Sequence, residues 1–389
     1  MLSPVDIPYP NPEYPTGQLK IKCPLIVSPG VALIRLPLMI WFVDPRSKNS
    51  FSNAEHQISQ LSAIIALMLI IICSAKILRH HHIGSENIQL AIITVVFGAG
   101  LYHYATYDNS YSHIYTTLGV VLFSLATFVN HGKHDSPRYL FLLLALSLLF
   151  VLVRMPNVFI VLFFWAFWVY QQGIKKNIPR VLVSGFGVFI AVVVQMVYNY
   201  LTMPEFAIRI SGDDAGFMWD RSMFWSVLFA YYNGVMSYFP ILGVALLAGF
   251  SCKKTRILTF WYMGMIVFYA LLYGSWEAWH LGPAFGHRGF VFFGPLSIMI
   301  LAMAWNELKY RIKTILQVLC VLSALITVQL MFGVWQETLP RMKTDQSYWS
   351  HLLGQEGTPY YWHAVLILVC AAIFSRNIFG QFKERKYSK

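Results

Sequence analysis

Long apolar runs alternate with short polar connectors along this chain. From residue 58 onward they fall at 58–78, 88–105, 113–129, 139–153, 157–170, 181–199, 236–250, 257–273, 289–305, 314–334 and 362–378. A helix needs about 20 such residues to cross a hydrocarbon layer of roughly 30 Å. The runs are continuous rather than alternating, and backbone polar groups in lipid leave only helices or closed barrels. The pattern predicts an all-α polytopic membrane protein of about eleven transmembrane helices.

Three stretches break the pattern. Residues 25–43, LIVSPGVALIRLPLMIWFV, are apolar but interrupted by Pro29, Gly30, Arg35 and Pro37, which predicts a pair of short interfacial helices. The runs 139–153 and 157–170 must cross as a pair, yet 15 helical residues reach only about 22 Å. The turn Arg154, Met155, Pro156, Asn157 then lies below the outer surface. Two readings stand for Arg154: lining a wet cavity, or snorkelling from a helix end. The third break is WEAWHLGPAFGHRGF, residues 276–290. Its glycines permit tight turns, Trp276 and Trp279 suit a membrane interface, and Arg288 opens the next apolar run.

The composition agrees with this solvent. With 57% hydrophobic residues, 12% charged residues and a mean hydropathy of +0.56, one soluble core cannot hide the apolar side chains. The formal charge of +12 is distributed topologically. Connectors at 76–87, 130–138, 172–180, 251–256 and 306–313, with the tail from 376, hold 18 Lys/Arg against four Asp/Glu. The alternate connectors hold six against nine. The positive-inside rule makes the first set cytoplasmic, so a nucleic-acid partner is not needed to explain the basic balance. Residues 1–57 then form an outer segment and 58–389 a transmembrane domain, with outer loops near 200–225 and 335–361. No basic-then-apolar signal peptide opens the chain, which reads as if it begins within an outer loop. Cys23 alone of five cysteines falls outside, so no outer disulfide is expected. His80, His81 and His82 suit a solvated turn better than a metal site. Asp213, Asp214 and Asp220 have no spacing that enforces one, so a divalent metal has no support in the pattern.

The segment GSWEAWHLGPAFGHRGFVFFGPL resembles the tryptophan, glycine, phenylalanine-glycine, arginine and proline pattern of bacterial GT-C membrane glycosyltransferases, of the dolichyl-phosphate-mannose mannosyltransferase kind. Other pieces follow in the same order. VRMPN at 153–157 resembles that family's arginine-proline-asparagine turn, and YATYDNSYSHIYTTL at 104–118 its tyrosine-rich loop with a histidine at a helix start. QMVYN at 195–199, YNGVMSYFP at 232–240 and KIKCPLIVSPGVALIRLPL at 20–38 are similar to further family segments. Two departures matter: no helix precedes a first outer loop with a catalytic aspartate, and Gly289 stands where the family has a bulky apolar residue. An incomplete gene product, inactive by itself as a glycosyltransferase, is the favoured reading, and neither Asp6 nor Asp44 inherits the catalytic role.

The resemblance implies sugar transfer from a polyprenyl-phosphate donor to a periplasmic acceptor, a glycan, lipid or protein, at a bacterial inner membrane, with the C-terminus cytoplasmic. Such chemistry needs cationic donors for the departing phosphate. Arg288 and Arg154 are the candidates, with Asn157 in the same turn. Glu277, His280 and His287 are candidates to orient sugar hydroxyls, Trp276 and Trp279 to stack on a sugar or sit at the interface, and His113 to touch substrate or cap its helix. The catalytic base is unassigned. The competing readings are a lipid-linked sugar flippase, in which the arginines escort a phosphate, and a non-catalytic membrane scaffold.

Overall fold

A computed structural model describes residues 29–42, 53–129, 136–202, 217–230, 233–277, 279–281 and 284–335. Among these the regular elements are helical: α1 (Pro29–Phe42), α2 (Asn53–His80), α3 (Ser85–Gly98), α4 (Leu101–Thr106), α5 (His113–Phe128), α6 (Pro137–Val153), α7 (Asn157–Gln172), α8 (Ile174–Thr202), α9 (Phe224–Phe229), α10 (Val235–Tyr238), α11 (Ile241–Ser251), α12 (Arg256–Gly274), α13 (Gly294–Glu307) and α14 (Tyr310–Trp335). A 3-10 helix, Arg288–Phe293, leads into α13. The described chain is therefore all-α apart from one isolated bridge between Phe217 and Trp276.

Five segments are long and apolar enough to cross a membrane: His56–His80, Ile174–Leu201, Arg256–Gly274, Arg288–Glu307 and Tyr310–Gly333. The expected spans at 88–105, 113–129, 139–153, 157–170 and 236–250 fall on shorter helices. Two of them are broken for a local reason. Gly100, at φ +73°, separates α3 from α4, and a Cβ there would lie 2.7 Å from the Phe239 ring. Pro240 separates α10 from α11 and serves as the N-cap of the latter. The expected span at 362–378 lies outside the described residues.

The N-terminal expectation needs correcting. Residues 29–42 form one helix with Pro37 inside it, not two. Proline removes a single backbone donor, and fixed contacts hold each half of α1. At Gly30 a Cβ would overlap the backbone of Leu152 and Val153 at the end of α6. Further along, Arg35 donates from Nε to the Tyr115 hydroxyl (3.1 Å) and from Nη2 to the Asn109 carbonyl (2.8 Å). The opposite side exposes Leu33, Leu36, Ile40 and Trp41.

The chain divides into two units. The first gathers described residues within 1–66, 106–116 and 133–214, and its framework is α6, α7 and α8 with α1. Gly187 of α8 lets the backbones close up, since a Cβ there would stand 2.6 Å from the Leu144 carbonyl of α6. Trp165 of α7 donates from Nε1 to Ser184 Oγ of α8 at 2.8 Å. Leu182, Phe186 and Phe189, at helical spacing on α8, are exposed, as a lipid-facing side requires.

The second unit gathers residues within 67–105, 117–132 and 215–389. Its centre is the segment Arg288–Glu307, with 89% of its apolar window buried, against 17% for α8 in the first unit. Helices α3, α11 and α12 pack on α13. Tyr262 and Ser297 share a hydrogen bond of 2.7 Å between α12 and α13. Thr327 Oγ1 of α14 lies within hydrogen-bond reach of the carbonyls of Tyr238 (2.8 Å) and Gly98 (3.2 Å), joining the ends of α10 and α3.

Candidate functional site

In the first unit the candidate residues sit on the tight turn between α6 and α7. Arg154 caps α6 in an extended conformation (φ −163°, ψ 124°), and Pro156 is the N-cap of α7. Asn157 is buried and ties the turn from inside, its Nδ2 donating to the Phe150 carbonyl (2.8 Å) and Thr116 Oγ1 (3.2 Å). That leaves Arg154 half-buried beside His113, with Nη1 3.3 Å from Nδ1. A guanidinium can only donate, so this bond requires the His113 tautomer protonated on Nε2. At 17 and 16 residues, α6 and α7 each reach about 25 Å, short of a full bilayer.

Sequence reasoning passed over Arg35, which sits in the same unit and is 9% exposed. Its acceptors are the Asn109 and Ser110 (3.3 Å) carbonyls of the loop leading to His113 and the Tyr115 hydroxyl in the first turn of α5. Ser62 Oγ completes the chain 2.6 Å from the Tyr115 hydroxyl. The sequence signal for it is a lone arginine within an apolar run, which by itself does not distinguish a buried anchor from an interruption of the run.

The second unit brings three distant segments together around 276–290. Tyr104 donates to the Phe285 carbonyl (2.7 Å), and Asn233 Nδ2 donates to the His280 carbonyl (2.9 Å). Gly286 has φ +58°, and a Cβ there would meet Tyr238 Cβ at 2.7 Å and Phe239 Cζ at 2.8 Å. The bridge between Phe217 and Trp276, with Met223 N–H donating to the Gly274 carbonyl (2.7 Å), fixes the other side.

The predicted residues separate by burial within this frame. His287 is fully buried, donating from Nε2 to the Trp279 carbonyl (2.9 Å) and packing against Tyr273 and Phe290. Arg288, Trp276, Trp279 and His280 are half-buried, and Glu277 is exposed. Burial, and then the Arg288 charge, hold the His280 imidazole below the ordinary histidine range. Gly289 has a steric cause: a Cβ would stand 2.5 Å from Tyr273 Cε2 and 2.7 Å from Cζ, so the tyrosine ring fills the space of the bulky residue expected there.

No group of three His, Cys, Asp or Glu side chains capable of holding a metal occurs among the described residues. Asp220 is exposed beside Arg221 at 3.6 Å, while Asp213 and Asp214, with Asp6 and Asp44, lie outside the described residues. Set against known protein families, curated proteins and solved structures, the chain has no match.

Proposed function

We propose that this chain is a membrane glycosyltransferase that takes a sugar from a polyprenyl-phosphate donor, with Arg288 contacting the donor phosphate. The observation that carries this reading is the half-buried Arg288 guanidinium at the start of the 3-10 helix, whose charge reaches His280. A planar fork of N–H donors outside bulk water suits a phosphate leaving group. The loop that presents it is pinned by Tyr104, Asn233 and the close-packed Gly286, and such rigidity supports transition-state stabilisation.

In the first unit, Arg154 with His113 and Asn157 forms a cationic turn of its own, a separate candidate contact for a phosphate or a sugar. Trp276, Trp279, Glu277 and His280 contact the sugar. His287 positions the loop from behind. The acceptor is a glycan, lipid or protein at the periplasmic face of a bacterial inner membrane, and the C-terminal tail is cytoplasmic, as the connector charges favour. A flippase for lipid-linked sugar remains the second reading, since intramembrane arginines serve it equally.

Purified protein should bind a polyprenyl-phosphate sugar, Arg288→Lys should weaken that binding, and Arg288→Met should weaken it further. Unchanged affinity in both folded variants would leave Arg288 a snorkelling anchor. Sugar movement across reconstituted liposomes without a new glycosidic bond would favour the flippase.

A further inference from the structure

The most unusual charge in the described chain is Arg180, near the start of α8 and outside the sites above. It is 2% exposed. Nη1 donates to Asn177 Oδ1 at 2.9 Å and lies 3.5 Å from Gln172 Oε1. Asn177 is itself fully buried and held by the carbonyls of Trp168 and Gly173, each at 2.9 Å from Nδ2. The guanidinium carbon sits 5.7 Å from the Tyr139 ring centroid and 5.9 Å from that of Trp168. The two remaining nitrogens, Nε and Nη2, are buried without a hydrogen-bond partner.

Those two nitrogens form one edge of the guanidinium. Their N–H bonds point the same way, and this edge is the fork that takes two oxygens of one oxyanion. An arginine stays charged at any ordinary pH, so an unpaired edge in a buried place is strongly unfavourable. The neutral acceptor on Nη1 and the two aromatic rings hold the fork in place but do not neutralise it.

The surroundings select the sign and class of ligand. Tyr139 belongs to the first turn of α6, where its N–H bonds the N-cap Ser136. The ring that the guanidinium faces is thus carried by the first turn of a helix, whose N-terminus attracts anions. Arg138, Lys175 and Lys176 are exposed at the same end of this unit, where α6 starts, α7 ends and α8 starts. The end is uniformly cationic among its described residues.

We propose that the Nε and Nη2 edge of Arg180 is an anion site for a phosphate group, supplied by an acidic phospholipid headgroup or by free phosphate. This site is separate from the Arg288 reading and stands or falls without it. The bound phosphate locks the starts of α6 and α8 together.

The test uses the purified full chain in zwitterionic detergent, with unfolding temperature as the readout. Phosphatidylglycerol at roughly a hundredfold above its Kd should raise that temperature by about 5 °C, and phosphatidylcholine should not. Arg180→Met should abolish the rise. Arg180→Lys, which keeps the charge and loses the fork, should retain less than half of it, and it supplies the comparison if the methionine variant does not fold. A rise with inorganic phosphate, beyond that with chloride at equal ionic strength, and absent in the variants, identifies free phosphate as an occupant of the same site. Equal rises in wild type and both variants, or none with either anion, overturn the proposal. So does a destabilisation by Asp135→Asn that vanishes in the Arg180→Met background, because the chain's own carboxylate would then occupy the edge.

Discussion

Tyr104 and Phe285 are joined by a hydrogen bond of 2.7 Å across 181 residues of chain, hydroxyl to carbonyl, with both residues buried. The bond attaches the end of α4 to the turn that precedes Arg288. Tyr104→Phe keeps the ring and removes the donor, stranding a buried carbonyl. A loss of about 1–3 kcal/mol is expected, together with weaker ligand binding at Arg288. Equilibrium unfolding in detergent and a binding titration read the two effects. Unaltered values in both would show that packing alone holds the turn.

Glycine at 286 and 289 is set by neighbours rather than by flexibility. Gly289→Ala forces the Tyr273 ring aside and should cost about 1–3 kcal/mol. Gly286→Ala should cost more, because it meets Tyr238 and Phe239 while also holding φ at +58°. Comparing the two unfolding midpoints checks this ranking, and equal stability of both variants with wild type would contradict the packing described.

Arg35 should matter to the fold more than its place in an apolar helix suggests. Arg35→Met preserves much of the stem but removes the shorter of two bonds to the Asn109 carbonyl, leaving it only Ser59 Oγ at 3.4 Å, for a cost of about 1 kcal/mol. The 107–112 loop should then gain amide exchange and protease sensitivity ahead of the rest of the unit. Protection that persists unchanged throughout that loop would argue against an anchoring role.

The His280 environment makes a signed prediction about pH. Its folded value lies below the ordinary 6.5, so the unfolded chain takes up the proton first as the pH falls. The stability linked to the neutral imidazole is complete above about 6.5 and is lost as the pH falls through the lowered folded value. His280→Gln should flatten this part of the stability profile. A phosphate ligand at Arg288 offsets the guanidinium charge and raises the imidazole, so binding should take up protons below the ordinary histidine value of 6.5 and progressively fewer above it. Calorimetry in buffers of different ionisation enthalpy measures that uptake, and its absence would separate His280 from the ligand.

The starts of several helices were legible because they depend on neighbours in sequence. Ser136 followed by Pro137 marks the head of α6, and Pro156 followed by Asn157 marks α7. The candidate residues Arg154 and Arg288 were legible for a related reason: a charge beside an apolar run is conspicuous without any coordinates. Arg180 was not, because a basic residue in a short polar connector resembles any other solvated cation until its burial is known. Likewise, His287 and His280 look alike in sequence, yet one packs against Tyr273 and the other is half-exposed.

Hydrophobic patterning by itself determined that this chain is helical and carries segments long and apolar enough for a membrane, since lipid demands that backbone donors be satisfied within each segment. Tertiary structure alone decided which polar groups are enclosed and what meets them. Arg35 finds its acceptors in the loop before α5 and in that helix's first turn, Tyr104 finds Phe285, and the Tyr273 ring takes the space beside Gly289. Those pairings depend on side chains brought into contact from far along the chain, and a local pattern of apolar and polar residues contains no term for that contact.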